Sequence, residues 1–187
     1  MSKIFVTSDL HFNHNREFIW GPRGFHSVEG MNEAIIQRWN SVVSPEDTVY
    51  VLGDLCLGGG DALAKNEELL MRLNGNLQII LGNHDTTPRK LMYASLPNVT
   101  LAPVYADMLH YKGYHFYMSH FPTMTSNLDE DKPLKARIIN LCGHSHTPDR
   151  FSDFDKGLIY HVEMDAHENY PVNIDDIIED IKHFGQN

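Results

Sequence analysis

Short apolar runs alternate with helical periods along the chain, and most of the runs stop at a glycine or an acid. Lys3-Ile4-Phe5-Val6-Thr7-Ser8 reads as a buried strand ending at Asp9. Met31, Ile35 and Trp39 recur four apart, so Val28 to Asn40 reads as an amphipathic helix capped by Ser27. Thr48 to Leu52 is a second strand, stopping at Gly53-Asp54. A helix capped by Asp61 carries Leu63, Leu70 and Leu73, and a third strand, Leu77 to Leu81, stops at Gly82. Strands alternating with helices imply a parallel sheet with right-handed crossovers.

The second half changes style. Met108 to Tyr111 and Tyr114 to Met118 flank Lys112-Gly113, the pattern of a tight hairpin. Ile138 to Cys142 and Leu158 to Val162 are further strands. A final helix capped by Asn173 carries Ile174, Ile177, Ile178 and Ile181. The pattern reads as one domain over residues 1–187, a mixed sheet or two packed sheets flanked by helices.

Composition narrows the class. With 187 residues, 42% of them hydrophobic and 21% charged, the chain suits one compact core. No apolar run approaches the roughly 18 residues that cross a bilayer, and the N-terminus lacks a signal-peptide pattern. Two cysteines, Cys56 and Cys142, make no disulfide framework, so a cytoplasmic setting is expected. Fifteen Lys and Arg against 25 Asp and Glu give a net charge of −10, which disfavours a long polyanion and favours a small phosphorylated substrate.

The chemistry lies in the loops just past the strands. Asp9-x-His11 places a carboxylate and an imidazole two apart, on one side of an extended strand end. Asp54 comes after Gly53 and offers two oxygens, enough to bridge two metals. Gly82-Asn83-His84-Asp85 supplies a neutral oxygen ligand, a histidine that titrates near neutrality, and an acid that orients His84 or holds a turn. His120 comes after the hairpin, and His144-x-His146 comes after Gly143 with chelate spacing. In open α/β sheets this edge binds ligands, because strand ends bring distant loops together.

This ordered series resembles the signature of the calcineurin-like metallophosphoesterases, from residue 9 to residue 146. Ser8-Asp9-Leu10-His11-Phe12-Asn13-His14-Asn15 looks like the small single-domain members of bacteria and phages. The chain departs from the protein Ser/Thr phosphatase branch, because Leu55-Cys56-Leu57-Gly58 stands where that branch carries a further Asp-Arg-Gly.

The resemblance implies a four-layer α/β sandwich, two packed mixed sheets flanked by helices, with the metals at the strand C-terminal ends. One divalent ion is then held by Asp9, His11, Asp54 and His146, and a second by Asp54, Asn83, His120 and His144. Manganese is the first expectation, with iron, zinc, cobalt or nickel as alternatives. A small phosphodiester or nucleotide is hydrolysed by a hydroxide shared between the ions, with His84 as the general acid. Near the first motif, His14, Arg16 and Arg23 are candidates for substrate contact, and the loops 15–30, 86–103 and 123–133 for specificity. The competing readings are a phosphomonoesterase and a non-catalytic metal-binding scaffold.

Overall fold

The computed structural model describes residues 2–58, 60–101, 104–123, 133–152 and 158–184. In chain order the elements are β1 (Ile4–Thr7), α1 (Glu17–Trp20), α2 (Val28–Val42), β2 (Thr48–Leu52), α3 (Ala62–Leu70), β3 (Asn76–Ile80) and α4 (Thr87–Ser95). After them come β4 (Val99–Leu101), β5 (Ala106–Tyr111), β6 (Tyr114–Ser119), β7 (Ile138–Cys142), β8 (Ile159–His161), β9 (Val172–Asn173) and α5 (Ile174–Phe184). They form an α/β arrangement of two mixed sheets with flanking helices, as expected from the sequence.

One sheet has the order β4-β3-β2-β1-β9, parallel except for β9. The other has the order β5-β6-β7-β8, parallel except for β5. Alternation along the first sheet decides what each face packs against. Phe5, Val49, Val51, Leu77 and Ile79 join Ile35 and Trp39 of α2, Leu70 of α3 and Tyr93 of α4 in one core. Val6, Leu52 and Ile80 join Phe116, Met118, Leu141 and Tyr160 of the second sheet, and Ile177 and Ile181 of α5, in another. Burial on both faces is why these strands read as unbroken apolar runs.

Local signals fall where the sequence pattern puts them, with exceptions. Ser27 Oγ accepts from Gly30 N at 3.0 Å and caps α2, and Asn173 Oδ1 accepts from Asp175 N at 2.9 Å at the start of α5. Lys112 and Gly113 both have positive φ (49° and 84°), which suits a two-residue hairpin turn. Asp61 is itself helical and makes no capping hydrogen bond among the described residues. Helix α3 buries Asn66 and Leu70 and leaves Leu63 half-buried.

Two of the expected loops contain elements. Segment 15–30 holds α1 and the start of α2, and segment 86–101 holds α4 and β4. Both additions are short, and tertiary packing of Ile19, Met92 and Tyr93 holds them. Residues 124–132 of the third loop, and Ala102 and Pro103 of the second, lie outside the described residues. Among the described residues no helix is long and apolar enough to cross a membrane. Cys56 and Cys142 are free and buried.

Candidate metal centre

Every expected ligand sits just past the C-terminal end of β1, β2, β3, β6 or β7. Backbone hydrogen bonds lace these loops together: Asp9 N donates to Gly53 O at 3.1 Å, His11 N to Asp54 O at 3.1 Å, and Gly143 N to His120 O at 2.9 Å. The sequence pattern implies extended backbone at Asp9 and His11; both turn left-handed instead, at φ 58° and 52°. Asp54 (56°), His144 (72°) and His146 (50°) do the same. Such a conformation costs a non-glycine residue roughly 1–2 kcal/mol, and clusters of it mark functional sites. The close approach of the strand ends requires glycine at position 143, where a Cβ would collide with Ser8 Oγ and Asp9 Oδ2.

The donor atoms gather in two overlapping groups. In the first, Asp9 Oδ1 lies 3.5 Å from His11 Nε2 and 3.6 Å from His146 Nε2, and the two imidazole nitrogens are 3.2 Å apart. In the second, His120 Nε2 lies 2.9 Å from Asn83 Oδ1, 3.2 Å from His144 Nδ1 and 3.5 Å from Asp54 Oδ2. Asp54 Oδ2 is also 3.9 Å from His11 Nε2, so it sits between the groups. Among the described histidines, cysteines and acids, the sets whose ligand atoms lie within 4.8 Å of one another are Asp9-His11-His146 and Asp9-Asp54-His120; Asp9 therefore belongs to both.

The hydrogen bonds around these side chains test whether a cation fits. His120 Nδ1–H donates to Leu52 O at 2.8 Å, and His146 Nδ1–H donates to Asp165 Oδ2 at 3.0 Å. In the neutral rings both Nε2 lone pairs then face the centre. Asp9 Oδ1, buried beside them, has no hydrogen-bond partner among the described residues. Acceptors facing acceptors repel unless something positive lies between them. A divalent ion suits this set of carboxylate, imidazole and amide oxygen donors, so the residues fit.

The electrostatics act in both directions across the ligand set. Burial works to raise the Asp9 carboxyl, yet the nearby His11, His120 and His146 hold it well below the ordinary range. Burial raises Asp54. Burial lowers His11, and burial with the neighbouring His120 lowers His144, keeping both in the ligating form.

The remaining candidates divide. His84 is part-exposed, with Nε2 3.9 Å from Asp54 Oδ2 and its ring 5.6 Å from that of His11, so it faces the centre. His14 is half-buried, 5.1 Å from the His11 ring; burial, then the charges of His11 and His84, bring it down to about 4. Arg16 is exposed on the segment entering α1.

Arg23, expected at the substrate, turns inward. It holds Asp165 in a two-pronged ion pair (3.0 and 2.7 Å) and donates to the carbonyls of Asp9 (2.8 Å) and Leu10 (3.2 Å). Asp85 does not orient the His84 ring. Its Oδ2 accepts from the backbone of Asp54 (3.0 Å) and Gly82 (2.8 Å), and Tyr93 donates to its Oδ1 at 2.9 Å. It fixes the two loops against each other.

Two residues at the site stand outside the sequence motifs. Asp165 orients His146; its one sequence signal is an acid shortly after the β8 strand, the position the other motifs occupy. Arg89, on the unexpected α4, donates to the carbonyls of His84 and Gly58 and steadies the loop that carries His84.

Comparison with known proteins gives the family and the fold. A family model described as calcineurin-like phosphoesterase matches residues 2–186. An uncharacterized protein of Methanocaldococcus jannaschii is 33% identical over 180 residues, spanning 96% of this chain and 91% of its own. The gene 66 protein of Mycobacterium phage L5 is 30% identical over 188 residues, spanning 89% of this chain and 88% of its own. A protein of unknown function from Aquifex aeolicus shares the fold, with a TM-score of 0.70 at 20% identity over 96% of this chain and 99% of its own. The chain thus belongs to the calcineurin-like phosphoesterases, a metal-dependent family of hydrolases acting on phosphate esters.

Proposed function

We propose that the chain hydrolyses a small phosphodiester, a nucleotide diester among the candidates, at a centre of two divalent ions with manganese the first choice. The observation that carries this reading is the gathering of His11, Asp54, His120 and His146 around Asp9, whose buried Oδ1 has no hydrogen-bond partner among the described residues, with Asn83 and His144 against His120 Nε2. Asp9, His11, Asp54 and His146 would hold one ion, and Asp54, Asn83, His120 and His144 the other. When bound, such ions lower the pKa of a water towards neutrality and draw charge from phosphoryl oxygens.

The protein groups do the rest. His84 needs no place in either ligand set, and its Nε2–H is positioned to protonate the leaving alkoxide. Its backbone N–H donates to Asp54 Oδ1 at 2.8 Å, which ties the acid to the bridging carboxylate. Arg23 and Asp165 act behind the ligands, while His14 and Arg16 remain the candidates for substrate contact. The two free thiols fit a reducing, cytoplasmic setting.

The test is hydrolysis of bis(p-nitrophenyl) phosphate and p-nitrophenyl phosphate with manganese, then with chelator. Faster turnover of the diester, abolished by chelator, is expected. Faster turnover of the monoester would favour a phosphomonoesterase. No turnover with manganese, iron, zinc, cobalt or nickel would favour a binding scaffold.

A further inference from the structure

Phe5, Phe12 and Phe116 are buried in the core, but Phe18 and Phe121 are 69% and 45% exposed. A single exposed aromatic ring is ordinary on a protein surface. What distinguishes these two is where they stand. Phe121 directly succeeds His120, and its ring lies 4.6 Å from that of His144 and 5.0 Å from that of His120, at 62° and 76°. Phe18 lies 5.5 Å from His14 at 88°, and His14 lies 5.1 Å from His11. One exposed ring therefore stands beside each group of donor atoms, Phe121 directly and Phe18 through His14.

Edge-on contacts of this kind fix a ring without covering it. A flat, polarizable group can then stack on the open surface, and a nucleobase does so whatever its hydrogen-bonding edge. An aliphatic alcohol has no such face to offer. A diester carries two alcohol groups, which leave phosphorus in different directions, and an exposed ring stands by each group of donor atoms.

We infer that Phe18 and Phe121 are stacking walls for planar rings borne by the ester, which makes the preferred substrate a short nucleotide diester or aryl diester. The inference rests on the phosphoesterase reading above and narrows its substrate class. The chain's net charge of −10 keeps the preference to short molecules.

Binding of adenosine 5′-monophosphate and of ribose 5-phosphate to the zinc-loaded protein, measured by calorimetry, tests the walls separately from turnover. The two probes share the phosphate and the sugar and differ in the base. The variants are Phe18→Leu and Phe121→Leu, which keep an apolar side chain and remove the ring; zinc content is measured for each. The expected result is at least tenfold tighter binding of the nucleotide. The single base takes one wall at a time, so at least one of the two variants should weaken that binding about 5- to 150-fold, the range of one base stack, and both should leave ribose 5-phosphate unchanged.

Equal affinity for the two probes, or nucleotide binding unaltered in both variants, overturns the inference. If bis(p-nitrophenyl) phosphate is still hydrolysed in that case, only the aromatic walls are lost. If it is not hydrolysed, the phosphoesterase reading falls as well.

Discussion

Asp165 Oδ2 stands 3.0 Å from His146 Nδ1 and 2.7 Å from Arg23 Nη2, so one carboxylate joins a candidate ligand to a buried guanidinium. Burial works to raise Asp165, but its hydrogen bonds to His146 and Arg23 bring it down to about 2. The pair fixes which nitrogen of His146 carries the proton and aims the other at Asp9. Arg23 extends the brace to the carbonyls of Asp9 and Leu10. An outer carboxylate of this kind commonly sets metal affinity.

Replacing Asp165 by Asn keeps an acceptor for His146 and removes the charge. Zinc affinity measured by calorimetry should fall roughly 10- to 100-fold, with the circular dichroism spectrum unchanged. Unaltered affinity would make the brace a matter of folding alone.

Gly143→Ala puts a methyl group against Asp9 Oδ2 and Ser8 Oγ. The backbone there has no slack, since Gly143 N is bonded to His120 O and His144 N donates to Asp9 Oδ2 at 2.8 Å. A loss of about 1–3 kcal/mol in urea unfolding is expected from overpacking, together with weaker metal binding through the displaced Asp9. A variant as stable as the wild type would show that the loops can part.

Acid should weaken the fold in a defined window. His167 is buried, bonds His161 O through Nε2 at 2.9 Å, and is brought down to about 4, burial outweighing that bond. Between the ordinary histidine value of 6.5 and about 4 the unfolded chain binds a proton at this position and the native chain does not. Stability therefore falls as pH drops through that range. Asp165 adds a second loss with the same sign, from the ordinary carboxylate value of 3.8 down to about 2. Urea midpoints taken from neutral pH down through the histidine window should decline less in His167→Gln than in the wild type. Parallel declines would assign the acid sensitivity elsewhere.

His84→Ala should retain its metals and lose about 10²- to 10⁴-fold in kcat, the usual contribution of a positioned general acid. The comparison is informative because His84 touches Asp54 through its backbone N–H, which the variant keeps. A kcat equal to the wild-type value would remove His84 from proton transfer.

Much of this is legible in the sequence for a physical reason. Residues at strand ends are reported by the strands themselves, and strands buried on both faces, such as Val49 to Leu52, leave a strong apolar record. Helix α4 leaves little record. It has nine residues, its apolar ones run consecutively from Leu91 to Ala94 and not at helical spacing, and its buried Arg89 is satisfied by distant carbonyls at Gly58 and His84. Arg23 and Asp165 are 142 positions apart, so nothing local announces that they pair. The left-handed backbone at Asp9 and His11 is hidden too, because docking of neighbouring loops imposes it and residue type does not.

Titrating metal-free protein with manganese tests the central claim most directly. The account expects two equivalents bound per chain in the wild type, and fewer than two in Asp54→Ala, whose bridging carboxylate is gone. A chain that takes up no manganese, zinc or iron, or an Asp54→Ala variant that binds as the wild type does, would contradict it.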